Sequence, residues 1–157
     1  LSGELFKSMT GCNMVHIPYK GAGPVLTDLI GGQVQVFFDN LPSSAGHIKG
    51  GSIRALAVTS AAREPSFPDL PTVADTVPGY EATAWFGVGM PKGTPREAID
   101  KMNAAINRAL ADPTMRARLA ELGGLPIPGT PEDFGKTIAA ETEKWAKVVA
   151  SSGATVD

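Results

Sequence analysis

The early part of the chain alternates short apolar runs with segments of helical spacing that end on glycine pairs. Met14–Ile17, Val34–Phe38 and Ile53–Thr59 read as strands. Pro24–Ile30, closed by Gly31-Gly32, and Ser43–Lys49, closed by Gly50-Gly51, read as helices. Leu56-Ala57-Val58 is a continuous apolar run, the pattern of a parallel strand covered on both faces. Strands that alternate with short helices imply βαβ units with right-handed crossovers, which sets the fold class as α/β.

Within this pattern, Tyr19-Lys20-Gly21-Ala22-Gly23 joins a strand to a helix. A loop of small residues that opens a helix leaves backbone N–H groups without intrahelical partners, and the helix dipole makes their meeting point attractive to an anion. Pro24 suits the first turn because its missing donor would be an orphan there. Asp39 ends the next strand, where ligands bind in open α/β sheets. A structural role for Asp39 at the turn Asn40-Leu41-Pro42 fits the same position.

Leu1, Leu5, Phe6 and Met9 have the spacing of a helix in mid-course, ended by Thr10-Gly11. A chain that begins without Met and inside a helix reads as part of a longer one. Ala61–Gly79 is rich in proline and reads as an inter-lobe connection with one helical turn over Thr72–Asp75. Tyr80–Met90 reads as a strand bearing Trp85, Phe86 and Val88. Three helix starts follow: Thr94-Pro95-Arg96-Glu97 as a capping box, Asp112-Pro113, and Thr130-Pro131-Glu132-Asp133. The first of these helices should bury Ile99, Met102, Ile106 and Leu110, and the last Phe134, Ile138, Trp145, Val148 and Val149.

The 157 residues, 43% hydrophobic and 19% charged, suffice for a packed core and argue against disorder. A formal net charge of −2 without a basic run gives no footprint for nucleic acid. No apolar run approaches a membrane span, so no direct insertion is expected. The single cysteine, Cys12, cannot form an internal disulfide and reads as a small buried residue. His16 and His47 lack partners at metal-ligand spacing and read as structural, so no metal and no cofactor are implied.

Known catalytic and nucleotide motifs fail on inspection. Gly135-Lys136-Thr137 resembles the end of a phosphate-binding loop, but Gly129 lies one position too far upstream and Pro131 opens a capped helix between them. Gly21-Ala22-Gly23 lacks the third glycine of a dinucleotide fingerprint, because Leu26 stands there. No Gly-x-Ser-x-Gly elbow occurs. Asp28, Asp39, Asp69 and Asp75 could meet as an acid–base pair, although Asp28 and Asp75 read as solvated helix positions.

Five segments then carry a resemblance. Val15-His16-Ile17-Pro18-Tyr19-Lys20-Gly21, Leu26–Val34, Ile53–Thr59, Phe67-Pro68-Asp69-Leu70-Pro71-Thr72-Val73 and Pro91-Lys92-Gly93-Thr94-Pro95 resemble, in order and over essentially the whole chain, the Bug family. These are the periplasmic receptors of tripartite tricarboxylate transporters. The resemblance implies a periplasmic-binding-protein-like, type II-like clamshell that captures a small organic carboxylate and hands it to membrane transporter subunits. A di- or tricarboxylate or an acidic amino acid is the implied ligand, with no catalysis and a periplasmic location. Residues 1–82 would form most of the second lobe, and 83–157 the return crossover and the carboxyl-terminal part of the first. The ligand-binding residues would be Tyr19, Lys20, Gly21, Ala22, Gly23 and Asp39.

Family members are about twice this length, which implies a fragment lacking the signal peptide and most of the first lobe. Apolar faces left uncovered in such a fragment, at Trp85, Phe86 and Ile106, would favour self-association. The rival expectation is the effector-sensing domain of a transcription regulator, which shares the two-lobed architecture. An enzyme is disfavoured because no nucleophile, metal cluster or cofactor fingerprint survives inspection.

Overall fold

The computed structural model describes residues 1–153. Its elements are α1 (Ser2–Thr10), α2 (Ala22–Ile30), α3 (Leu41–Lys49), a 3₁₀ turn at Val73–Asp75, α4 (Arg96–Ala111), α5 (Pro113–Glu121) and α6 (Pro131–Ser152). They fall into two compact units, Leu1–Ala84 and Trp85–Asp157.

The first unit is organised around Tyr80, the most deeply buried large side chain at 1% exposure. Phe6 of α1 meets its ring edge-on at 6.0 Å and also meets Phe38 at 5.7 Å. The Tyr80 hydroxyl donates to the Ser2 carbonyl at 3.0 Å, which ties the start of α1 to the end of the unit. Burial pushes the Tyr80 phenol up to about 12, because the charged form would lose its water. α2 buries Val25 and Leu26 and lies against α3, which buries Ser44. Both helices close at the glycine pairs expected of them, with Gly31 N–H donating to the Thr27 carbonyl and Gly50 N–H to that of Gly46, each at 2.9 Å.

The segments expected as strands do not form a ladder among the described residues. One parallel bridge exists, Val58 with Thr72, made by Val58 N–H to the Pro71 carbonyl and Val73 N–H to the Val58 carbonyl, both 2.9 Å. Elsewhere in these segments apolar residues stand exposed, including Val15 at 82% and Leu56 at 61%. The physical reason lies in what defines a strand: an apolar run records the environment a segment is suited to, whereas a ladder needs a second backbone beside it. Tyr80–Met90 is also not one element, because Tyr80 and Ala82 are core residues of the first unit while Trp85 begins the second. The proline-rich stretch 61–79 lies inside the first unit, not between the units. Its helical turn is held by a reciprocal capping box between Thr72 and Asp75.

In the second unit, α5 and α6 start where expected, and α4 starts differently. Asp112 accepts the Met115 N–H at 2.9 Å, and Thr130 and Asp133 cap each other's backbone. Thr94 forms no capping box: Pro95 takes the cap position and α4 begins at Arg96 without a side-chain cap, while the Thr94 hydroxyl, one residue outside the helix, donates to the Pro91 carbonyl at 2.8 Å. Arg96 holds that end, bonding Asp100 at 2.8 Å and Glu132 of α6 at 2.7 Å. Asn103 and Asn107 each donate to the Gly129 carbonyl at 2.9 Å, fixing the approach to α6 on α4. The expected apolar stripes are only partly covered: none of α4 is fully buried, Met102 and Ile138 are exposed, and Val148 alone of α6 is in the core. Cys12, expected to be buried, is a half-exposed free thiol.

Candidate functional site

The start of α2 is built to present backbone donors. Gly21 has φ 98° and ψ 173°, a conformation essentially reserved for glycine, and turns the chain directly into the helix. No side chain caps this end. Pro24 contributes no N–H, so the donors concentrate on Gly21, Ala22 and Gly23. A Cβ on either Gly21 or Gly23 would meet nothing within 4 Å, so the space before the helix is open. Uncapped N–H groups at the positive end of a helix dipole attract a carboxylate.

The other predicted residues are distributed around this end. Lys20 is exposed and, among the described residues, makes no ion pair. Tyr19 is half-buried, and its hydroxyl donates to the Asp28 carboxylate at 2.7 Å. That bond, followed by burial and the Asp28 charge, raises the Tyr19 phenol above its ordinary value. Asp28, expected to be a solvated helix position, is therefore half-buried and engaged. Its usefulness was hidden because Tyr19 lies nine positions away, across the loop, beyond the reach of a helical-periodicity argument.

Asp39 stands just before α3, where its carboxylate accepts from the Ser43 hydroxyl at 2.7 Å. The same hydroxyl lies 2.7 Å from the Asn40 carbonyl, and its one proton is shared between the two acceptors. Asp39 thus supports the turn into α3 while keeping acceptor capacity. Three of the four acidic residues have separate partners: Asp28 is bound to Tyr19, Asp39 to Ser43, and Asp75 to Thr72 and Arg63. Backbone and side-chain bonds from Thr72, with Arg63 beside them, hold the Asp75 carboxyl below the usual carboxylate range. His47 lies 3.2 Å from the Ser52 hydroxyl, a local structural contact. Among the described residues no group of His, Cys, Asp or Glu could hold a metal ion, and no helix is long and apolar enough to cross a membrane. A shallow depression lined by Ile48, Ser52, Ile53 and Leu70 includes none of the predicted residues.

A family model described as the tripartite tricarboxylate transporter family receptor matches residues 1–154. The chain belongs to this receptor family. BugT of Bordetella pertussis is 41% identical over 152 residues, covering 96% of the chain and 47% of that protein. Among solved structures, R. palustris Rpa4515 with adipate is 43% identical with a TM-score of 0.89, covering 97% of this chain and 51% of that one. MatC from Rhodopseudomonas palustris with bound malate is 32% identical with a TM-score of 0.79, covering 94% and 52%. The chain spans about half the length of most of the curated relatives it matches. Its α/β fold is accordingly that of the family's periplasmic binding proteins, of which it represents part of the clamshell. The strand-like segments without ladders are thus segments of a mixed α/β receptor fold.

Proposed function

We propose that this receptor-family chain contributes the carboxylate-gripping loop of an extracytoplasmic solute receptor. In this reading it binds a small organic acid without transforming it and, in the periplasm, delivers it to membrane transporter subunits. The observation that carries the reading is the uncapped start of α2, where Gly21-Ala22-Gly23 leaves backbone donors facing open space. Backbone donors suit a carboxylate because they supply directed hydrogen bonds without the hydration cost of a lysine ammonium. The adipate in Rpa4515 and the malate in MatC are dicarboxylates, which supports that class of ligand.

Calorimetry on the polypeptide as its source cell makes it, titrated with adipate, malate, succinate and an acidic amino acid, tests the reading. Uptake of at least one, with a monocarboxylate of equal length bound at least about tenfold more weakly, is the expected result. Heat from none of them overturns it.

Asp39 would accept a hydroxyl or ammonium proton of the ligand. Asp39→Ala should then weaken malate by about tenfold, the order of a hydrogen bond to a charged group, and succinate much less, since the two differ by one hydroxyl. Equal losses for both would remove that role and leave Asp39 as the support of Ser43 alone.

A further inference from the structure

The Tyr19–Asp28 hydrogen bond joins the residue before the glycine loop to a residue well inside the following helix. The helix end of this bond is firmly placed. Val25 and Leu26 are buried on α2, and the Asp28 carbonyl accepts the Gln33 N–H at 2.8 Å, closing the carboxyl end of the helix. The loop end has no comparable support: Lys20, Gly21 and Gly23 are exposed, Gly21 occupies a conformation that costs a flexible chain entropy to hold, and no side chain caps the helix start.

We propose that Asp28 is a positioning residue for the anion loop: by accepting the Tyr19 hydroxyl it buckles the span 20–27 and holds the Gly21–Gly23 donors in their binding arrangement. This rests on the reading of the loop as the carboxylate site. Tyr19 has one phenolic proton, and at 2.7 Å that proton is committed to a carboxylate. Tyr19 therefore serves the ligand by fixing the loop, not by donating to it. The bond also keeps the Asp28 charge turned toward a donor, which reduces its repulsion of an incoming anion.

The test compares Tyr19→Phe, Asp28→Ala, the double variant and Asp28→Asn by backbone 15N relaxation, which needs no ligand and reads order at amides that carry no hydrogen bond. Tyr19→Phe and Asp28→Ala should each lower the N–H order parameters at residues 20–23 from the rigid range of about 0.85 to below about 0.6, with the rest of the first unit unchanged, and the double variant should be no lower than either. Asp28→Asn keeps an acceptor oxygen and should restore the parent's order at these residues. Adipate or malate affinity should fall and recover in the same order. Unchanged order at 20–23, additive effects in the double variant, or a loss of order spread evenly over the unit would each overturn the proposal. Loss of affinity in Tyr19→Phe alone would do so too, since it would make the hydroxyl a direct ligand contact. The expected pattern of order in a chain that takes up no dicarboxylate would uphold the buckle and overturn the receptor reading, so the two failures are distinct.

Discussion

Helices α2 and α6 start in opposite ways. At α6 the Thr130 side chain accepts the Asp133 N–H, and the Asp133 carboxylate accepts the Thr130 N–H at 3.2 Å. Phe134, one residue further, packs edge-on against Trp85 at 5.4 Å. At α2 a glycine makes the turn, no side chain caps the backbone, and the bracket comes from outside the turn, from Tyr19 to Asp28. Both helices carry a dipole, so the dipole does not separate them. What separates them is whether the chain's own side chains have already used the donors. The start of α6 has spent donors on its own cap, whereas the donors at the start of α2 are left for the ligand in the function proposed above.

Gly21→Val would break the α2 side of this contrast most severely. Space is not the obstacle, because nothing lies within 4 Å of the added Cβ; the backbone conformation at φ 98° is. Forcing a β-branched residue there costs about 1–3 kcal/mol, and the loop would escape by moving its donors. Affinity for adipate or malate should fall at least about tenfold by calorimetry. Retained affinity would show that the donors at this turn are not the site.

Gly87→Ala probes the α6 side, and there space is the obstacle. A Cβ at Gly87 would collide with the tip of the Phe134 ring, 2.8 Å from both Cε1 and Cε2 and closer still to Cζ. Because Trp85 packs on the same ring, Phe134 cannot simply step aside. A loss of about 1–3 kcal/mol is expected from such overpacking, read as a lower midpoint in urea unfolding, with ligand affinity unchanged.

Thr130→Ala is milder. Loss of a helix cap of this kind costs about 1 kcal/mol, again without a change in affinity. It also carries a pH signature. The Thr130 side chain and backbone, with Lys136 beside them, hold the Asp133 carboxyl below the usual carboxylate range in the folded state. The unfolded carboxyl ionises near 3.9, so the folded form gains stability above that pH and loses it as pH falls through the lower folded value. Melting temperatures measured from pH 7 down to 3 should therefore fall less steeply in Thr130→Ala than in the parent. Parallel curves would show that the capping box does not couple to folding.

The two starts were not equally legible in the sequence. Thr130-Pro131-Glu132-Asp133 announces its cap because capping chemistry acts over three residues, a range that a local motif can span. The Thr94-Pro95-Arg96-Glu97 match is equally good as a pattern and fails because Pro95, with ψ 138°, takes the cap position and the helix starts at Arg96, which leaves Thr94 one residue outside it. Gly21 was readable as a helix-opening loop for the same local reason. Tyr19 and Asp28 were not readable as a pair, because their approach depends on where the chain goes between them. Phe134 over Gly87 depends similarly on the path of a segment distant in sequence. The expected strands mark a further boundary: Val15 and Leu56 lie in apolar runs of strand length, yet a ladder depends on a second backbone, which no pattern within one segment supplies.

Lys20→Gln carries the smallest expected effect and separates two ways of holding an anion at the α2 start. Lys20 is exposed, and an ammonium on a flexible stem loses little by pointing into water. If the backbone donors hold the carboxylate, removing this charge should leave affinity within about twofold near physiological salt, where the Debye length is about 8 Å and exposed charges act weakly. Association at low salt should slow modestly, because a lost positive charge still steers an anion less well. A loss of affinity as large as that of Gly21→Val, persisting at high salt, would transfer the grip from the backbone to the lysine. The uncapped helix start would then be a consequence of glycine in the turn, and the contrast with α6 would lose its functional meaning.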